Sequence, residues 1–148
     1  DDFANITVAE ADIELDIGDG IKVNGRIDLV KRREISGKEK TYIVDFKTAS
    51  REVTECINAE QLKIYALGYQ KLTGETADYL EIYNLDNSES ERQRVTEGLL
   101  ENVSRDIRDA ASNIRNNDLP RKCSKEKCQK CYLNYLCLSK KEKQEYEV

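Results

Sequence analysis

The sequence predicts an α/β domain whose mixed central sheet begins as an antiparallel meander and is flanked by helices. Three observations predict this fold class: apolar residues alternate in the first third of the chain, two later segments show helical periodicity, and a strand-like segment separates them. The resulting order is β-β-β-α-β-α, followed by a cysteine-rich tail. We expect residues 1–120 to form the core and residues 121–148 to form a tail that packs on it.

Three strands are predicted at the start of the chain, over residues 6–17, 21–33 and 41–47. In the first two, aliphatic residues alternate with charged ones, which is typical of half-buried strands. Gly18-Asp19-Gly20 makes the turn between them, since Asp-Gly is a strong hairpin signal, and Ser36-Gly37-Lys38 supplies the second turn. The third segment, TYIVDFK, is rich in β-branched and aromatic residues, which favours a central position in the sheet.

The second half of the chain predicts two helices, over residues 58–72 and 88–116, and a strand between them over residues 78–85. Ser88 followed three residues later by Glu91 is a capping-box pattern, and it predicts the start of the second helix. Gly74 is placed to end the first helix. Apolar residues occupy one face of each helix, so we expect both helices to pack on the sheet.

The composition narrows the possible chemistry. The chain has 148 residues, a formal net charge of −5 and no histidine. The lack of histidine excludes histidine general bases, histidine metal ligands and Ser-His-Asp triads. No apolar run is long enough to span a membrane. Residues 121–143 are rich in Lys and Arg, which suits either a nucleic-acid phosphate backbone or a solvated polar tail.

Two carboxylates and one lysine are the strongest candidates for a functional site. Asp45 and Lys47 are two residues apart on the third strand and therefore share a face. If the second and third strands pair around the turn near residues 34–40, Asp28 lies close to Asp45. Adjacent carboxylates repel unless a cation lies between them, and their oxygens suit Mg²⁺ or Mn²⁺. Lys47 is placed to orient an attacking water molecule or to stabilise charge on a phosphoryl group.

Neighbouring residues extend this pattern. The Phe46 carbonyl is a further candidate metal ligand, and Gly25 allows backbone or substrate to approach closely. Gln61 and Tyr65 lie one helical turn apart and share a face. The alternative is that the three charges belong to half-exposed strands and that Gln61 and Tyr65 only pack a helix. The apolar surroundings of Asp45 argue against this alternative, because an unpaired carboxylate is costly there.

Three short motifs together resemble those of the PD-(D/E)XK nuclease superfamily: GRID at 25–28, VDFKT at 44–48 and QLKIY at 61–65. They are most similar to the RecB-type branch found in helicase–nucleases, recombination exonucleases and CRISPR-associated exonucleases. The resemblance implies a restriction-endonuclease-like fold and a metal-dependent deoxyribonuclease with exonuclease action. It also implies a fragment of a larger DNA recombination or repair protein, with a helicase domain or subunit as partner. The abrupt start of the chain agrees with a fragment.

The resemblance further implies roles for individual residues. Those matching Asp28 and Asp45 bind the metal, and the one matching Lys47 is the catalytic lysine. Those matching Gln61 and Tyr65 contact DNA or support the metal ligands.

One departure from the family pattern concerns the metal site. Such nucleases carry a further His or Glu on a helix before the first strand. This chain has no His, and its core begins too late for that helix. Glu10 is the candidate for the missing ligand, and the alternative is that it is a solvent-facing strand residue.

The cysteines indicate a second metal site. Apart from Cys56, they fall near the C-terminus, at Cys123, Cys128, Cys131 and Cys137. This clustering indicates zinc or iron–sulfur ligation in a reducing compartment, so we expect a cytoplasmic location. Spacing alone does not choose between Zn²⁺ and a cluster. The resemblance favours a [4Fe–4S] cluster on a C-x2-C-x5-C triple, residues 128, 131 and 137, although neither remaining cysteine has the expected position of the fourth ligand. The alternative is a set of small cysteines that pack a terminal helix.

Three functions follow from these patterns. The sequence favours a Mg²⁺- or Mn²⁺-dependent deoxyribonuclease that acts on DNA. The second possibility is a non-catalytic DNA-binding or scaffold domain with a structural iron–sulfur or zinc site. A zinc-ribbon-like interaction module is disfavoured, because the Asp-x-Lys arrangement would then be accidental.

Overall fold

The computed structural model of the chain describes residues 5–48, 55–121 and 124–137. In chain order, the elements in these ranges are β1 (Ile6–Gly18), β2 (Ile21–Ile35), β3 (Lys38–Lys47), α1 (Glu55–Thr73), β4 (Tyr79–Asn84), β5 (Ser90–Arg94), α2 (Glu97–Arg115), α3 (Lys125–Gln129) and α4 (Asn134–Cys137). The chain divides into two compact units, residues 1–112 and 113–148, and the sheet lies in the first. That a tail of residues 121–148 packs on the core stays a prediction.

The five strands form one mixed sheet in the order β1-β2-β3-β4-β5. The pairs β1–β2 and β2–β3 are antiparallel, β3–β4 is parallel, and β4–β5 is antiparallel. Helix α1 is the crossover that the parallel pair requires. The predicted fold class, a mixed sheet that begins as an antiparallel meander and is flanked by helices, is confirmed.

Both hairpins of the meander use the turns that the sequence predicts. Asp19 and Gly20 form a two-residue loop with φ of 53° and 71°, and Ser36 and Gly37 form another with φ of 54° and 75°. Positive φ at both loop positions defines a type I′ turn, whose twist matches that of the flanking strands. These turns fix how the three strands pair.

The second helix begins later than predicted, because residues 90–94 form strand β5. The predicted capping box at Ser88 is wrong: Ser88 has a φ of 58° and lies in the turn before β5. All five residues of β5 are exposed and polar, so this edge strand lacks the apolar alternation that predicts strands. Thr96 caps α2 instead, since its Oγ1 accepts a hydrogen bond of 3.2 Å from the Leu99 N–H.

Helices α1 and α2 share one buried apolar cluster with the sheet. Its members include Leu62, Tyr65, Ala66, Tyr69, Leu100 and Val103 of the helices and Ile13, Leu15, Ile27, Ile43 and Leu80 of the strands. Each buried aliphatic side chain stabilises the fold by about 1.5–3 kcal/mol relative to exposure. The helix α1 backbone lies directly on β1, because a Cβ on Gly68 would be 2.6 Å from Ile13 Cδ1. In the described part of the chain, neither long helix is apolar enough to cross a bilayer.

A buried ion network lies on the other face of β2–β5. Lys31 Nζ is 2.6 Å from Glu81 Oε2, and Arg92 donates to Glu81 Oε1 at 3.0 Å. Glu81 is only 1% exposed, and both cations lie 5.8 Å from the centre of the Tyr42 ring. Because Lys31 belongs to β2 and Glu81 to β4, their ion pair passes over β3. It therefore ties together the strands on either side of the one that carries Asp45.

Candidate functional site

Asp28 lies beside Asp45 at the point where β2 and β3 part. The ladder between these strands ends with Leu29 opposite Val44, and the next step places Asp28 opposite Asp45. The backbone N–H of Phe46 donates to Asp28 Oδ2 at 3.1 Å. A side-chain oxygen thus replaces the next backbone partner and holds the Asp28 carboxylate against β3.

Asp45 and Lys47 face the same side of β3 and form an ion pair, with 2.7 Å between Lys47 Nζ and Asp45 Oδ2. Asp45 is 2% exposed, whereas 29% of the Lys47 side chain is exposed. Asp45 Oδ2 accepts no aligned hydrogen bond from the residues that the structure describes. Lys47 therefore places a partly exposed cation against a buried carboxylate.

The site is short of positive charge. Burial raises the pKa of Asp45 above its ordinary value, the Lys47 ammonium opposes this shift, and the Asp28 carboxylate adds to it. Burial outweighs the Lys47 ammonium in setting this direction, and the Asp28 carboxylate is the smallest of the causes. A bound cation would supply the missing charge.

The donor set fits a hard divalent cation. Asp28 and Asp45 offer carboxylate oxygens, and the buried Asp45 Oδ2 lies 2.7 Å from Lys47 Nζ but accepts no aligned hydrogen bond in the described ranges. No group of three or more His, Cys, Asp or Glu side chains arranged for a metal occurs among those residues. Mg²⁺ is commonly held by one or two carboxylates, with water and substrate phosphate as its other ligands. The role of the Phe46 carbonyl as a further ligand stays a prediction.

Gln61 and Tyr65 contact each other and β2. The Gln61 side-chain amide donates to the Tyr65 hydroxyl, and Tyr65 is only 6% exposed. A Cβ on Gly25 would lie 2.9 Å from Tyr65 Cε1, so the ring occupies the space that Gly25 leaves. Their position is thus fixed against the strand segment that ends at Asp28, three residues further on.

Glu10 lies across from Asp28 within β1, but its side chain faces solvent. The ladder pairs on either side of it place the two residues opposite each other. Glu10 is exposed and has a φ of 52°. An Asp12 hydrogen bond and, to a smaller extent, the Glu10 charge raise the pKa of Arg26. The Glu10 carboxylate therefore lies near Arg26, and its role as a metal ligand stays a prediction.

The three described cysteines of the second unit are free thiols in different environments. Cys128 is buried, Cys131 is exposed and Cys137 is partly buried. Cys123 and the side chain of Cys56 lie outside the described residues. Ser124 caps α3, and the only further helix described in this segment is the single turn of α4, shorter than the terminal helix considered above. The cluster at these cysteines stays a prediction.

Comparison with known proteins agrees with the geometry. The family model described as the PD-(D/E)XK nuclease superfamily matches residues 2–138. A search of curated proteins found no match.

The solved structures similar to the chain include the following two. SSO0001 shares 19% identity with a TM-score of 0.50, and the match covers 90% of this chain and 60% of that protein. A protein from Eubacterium rectale named as a "putative exonuclease" shares 16% identity with a TM-score of 0.45, over 76% of this chain and 47% of that one. The chain thus spans less than two thirds of either protein. The similarity to SSO0001 concerns the fold alone.

Proposed function

We infer that this chain, which belongs to the PD-(D/E)XK nuclease superfamily, hydrolyses DNA phosphodiester bonds with the help of Mg²⁺ or Mn²⁺. One observation carries the proposal: buried Asp45 faces Lys47 at 2.7 Å and lies beside a second carboxylate, Asp28. A buried carboxylate with a raised pKa is costly for a fold, and such groups concentrate at functional sites.

Each residue of the site has a definite task in this reaction. Asp28 and Asp45 would hold the ion, which when bound polarises the scissile phosphate and lowers the pKa of water. The Phe46 N–H fixes the Asp28 carboxylate beforehand, so little rearrangement is needed. Lys47, a partly exposed cation beside Asp45, donates to the attacking water or to a phosphate oxygen and stabilises the charge that develops there.

We further propose that the chain belongs to the RecB-type branch, acts as an exonuclease in the cytoplasm and works within a larger recombination or repair protein beside a helicase. The support is the resemblance of the three motifs, together with the packing of Tyr65 on Gly25, which joins two of them physically. Gln61 and Tyr65 would then support Asp28 and meet the DNA strand that enters the site.

The mode of action is tested with linear and covalently closed circular DNA of the same sequence, each with Mg²⁺, Mn²⁺ or excess EDTA. We expect shortening of the linear DNA only, and only with metal. Cleavage of the circle would show an endonuclease. If neither DNA is cut while salt-dependent binding persists, the chain is a non-catalytic DNA-binding domain and the proposal is wrong.

We also propose that Cys128, Cys131 and Cys137, with Cys123 as fourth ligand, bind a [4Fe–4S] cluster that stabilises the second unit. The support is the thiolate spacing. Anaerobic purification should give iron, acid-labile sulfide and a broad visible absorbance, all lost in Cys131→Ser. If the purified protein contains zinc and no iron, the site binds Zn²⁺ instead of a cluster. If it contains neither metal, the proposed site does not exist.

A further inference from the structure

Strands β1 and β2 both break their inside–outside alternation at the same place. Over residues 11–17 of β1 and 21–27 of β2, the side chains that face the core recur at every second residue, as a flat strand requires. At one point in each strand the interval is three residues: from Val8 to Ala11 in β1 and from Ile27 to Val30 in β2. Glu10 and Asp28 lie inside these two intervals, opposite each other in the ladder.

The break decides which face Asp28 occupies. Uninterrupted alternation would place Asp28 on the exposed face of β2, together with Arg26 and on the other side from buried Ile27. After the break, the even-numbered positions of β2 face the core, as buried Val30 opposite Ile43 demonstrates. Asp28 then comes to the side of β3 that carries Asp45.

Glu10, which lies at the break in β1, has a left-handed backbone. Among the described residues, five other than glycine have positive φ, and Glu10 is the one that lies inside a strand. Left-handed backbone is unfavourable for a glutamate, which is neither glycine nor a short side chain that bonds its own backbone. A strained residue of this kind in a strand bends it and re-aims neighbouring side chains, and such residues concentrate at functional sites.

We propose that Glu10 is a positioning residue: its left-handed backbone kinks β1, imposes the matching break on β2 and so turns Asp28 toward Asp45. It acts through its backbone, which distinguishes it from a carboxylate that binds the metal directly. The benefit to metal binding rests on the proposed function, but the placement of Asp28 belongs to the metal-free fold. The two can therefore be tested separately.

Three substitutions separate backbone from side chain. Glu10→Gly accepts positive φ without strain, Glu10→Gln removes the charge and keeps the strain, and Glu10→Val opposes positive φ with a β-branched side chain. Glu14→Val is the matched control, because Glu14 is exposed on the same strand and pairs regularly with Asn24.

The first readout is the Phe46 amide in the metal-free protein, followed by NMR, because this N–H donates to Asp28 only when Asp28 faces β3. Its chemical shift and its protection from hydrogen exchange should persist in Glu10→Gly, Glu10→Gln and Glu14→Val. In Glu10→Val exchange should become at least about tenfold faster, as in an Asp28→Ala reference. Glu10→Gly should also raise the melting temperature by relieving strain. A lower melting temperature would contradict the left-handed backbone, even if Glu10→Val fails to fold.

The second readout is Mn²⁺ affinity, measured by electron paramagnetic resonance. Glu10→Val should bind Mn²⁺ about ten- to hundredfold more weakly, and the other variants should match the wild type. Equal weakening in Glu10→Gly and Glu10→Gln would show that the carboxylate is itself a ligand and would overturn the proposal. An unchanged Phe46 amide in folded Glu10→Val would overturn it as well. If the wild type binds no Mn²⁺, the proposed function fails, and the Phe46 amide still decides the role of Glu10.

Discussion

The ring of Tyr65 occupies the space above Gly25, where a Cβ atom would lie 2.9 Å from Tyr65 Cε1. This contact joins α1 to β2 three residues before Asp28. Tyr65 also accepts a hydrogen bond from Gln61. The GRID and QLKIY motifs are therefore parts of one packed unit, and the glycine of the first is explained by the tyrosine of the second.

Gly25→Ala should displace the Tyr65 ring, lower stability by about 1–3 kcal/mol and reduce cleavage, because the added methyl group overpacks the contact. Urea unfolding and DNA cleavage measure the two effects. Gly98→Ala is the control, since a Cβ there would meet nothing within 4 Å. If both alanine variants behave like the wild type, the close contact has no consequence.

Lys47→Ala should reduce cleavage by about a hundredfold or more while folding and DNA binding persist, because the ammonium is needed mainly as charge develops. Single-turnover cleavage and fluorescence anisotropy measure the two properties. Lys38→Ala, an exposed lysine at the start of the same strand, should change neither. Retained cleavage in Lys47→Ala would remove this lysine from the mechanism.

Asp45→Asn should abolish cleavage but raise the melting temperature of the metal-free protein near neutral pH. The pKa of Asp45 is raised in the fold, mainly by burial, so ionised Asp45 opposes folding. Its protonated form stabilises the fold at low pH, and this contribution disappears as the pH rises through the folded pKa. The advantage of the Asn variant should therefore grow from pH 4 toward pH 7 (roughly the range above the ordinary Asp pKa). A constant difference in melting temperature would contradict this.

Glu81→Gln should lower stability by about 3 kcal/mol, since it leaves Lys31 without its buried counterion. Burial alone would raise the pKa of Glu81, but Lys31 and Arg92 outweigh it and hold the pKa below its ordinary value. The stabilisation is thus present at neutral pH and is lost as the pH falls through the folded pKa. Chemical unfolding should show a gap between wild type and variant that narrows below about pH 4.

Glu14→Gln is the control for this network, because Glu14 pairs with Lys22 in solvent. It should leave the unfolding curve unchanged. A Glu81→Gln variant as stable as this control would mean that the buried network does not hold β2 and β4 together.

Local sequence patterns predict the meander, the crossover helix and the fold class. Asp19-Gly20 encodes a turn, and alternating aliphatic residues encode strands. Strand β5 could not be predicted in this way, because an exposed edge strand has no buried face to create alternation. Its polar sequence instead fits the helix predicted from residue 88, whereas α2 begins only after Thr96.

The sequence also predicts part of the site, namely Asp45 and Lys47. Spacing placed Asp45 and Lys47 on one face, and a carboxylate among apolar residues marked Asp45. The same signal, an acid within YLEIYN, also marks Glu81, although its partners on other strands could not be known. The break at Glu10 was unpredictable, because glutamate carries no preference for left-handed backbone. The regular alternation predicted over residues 21–33 consequently ends at Ile27.

The most direct test of the site is Mn²⁺ binding and DNA cleavage measured side by side for the wild type, Asp28→Asn and Asp45→Asn. The wild type should bind Mn²⁺, cut DNA with Mg²⁺ or Mn²⁺ and stop in excess EDTA. Each variant should remain folded, bind Mn²⁺ at least about tenfold more weakly and fail to cut. Wild-type binding and cleavage by both variants, or full cleavage in EDTA, would contradict a metal held by these two carboxylates.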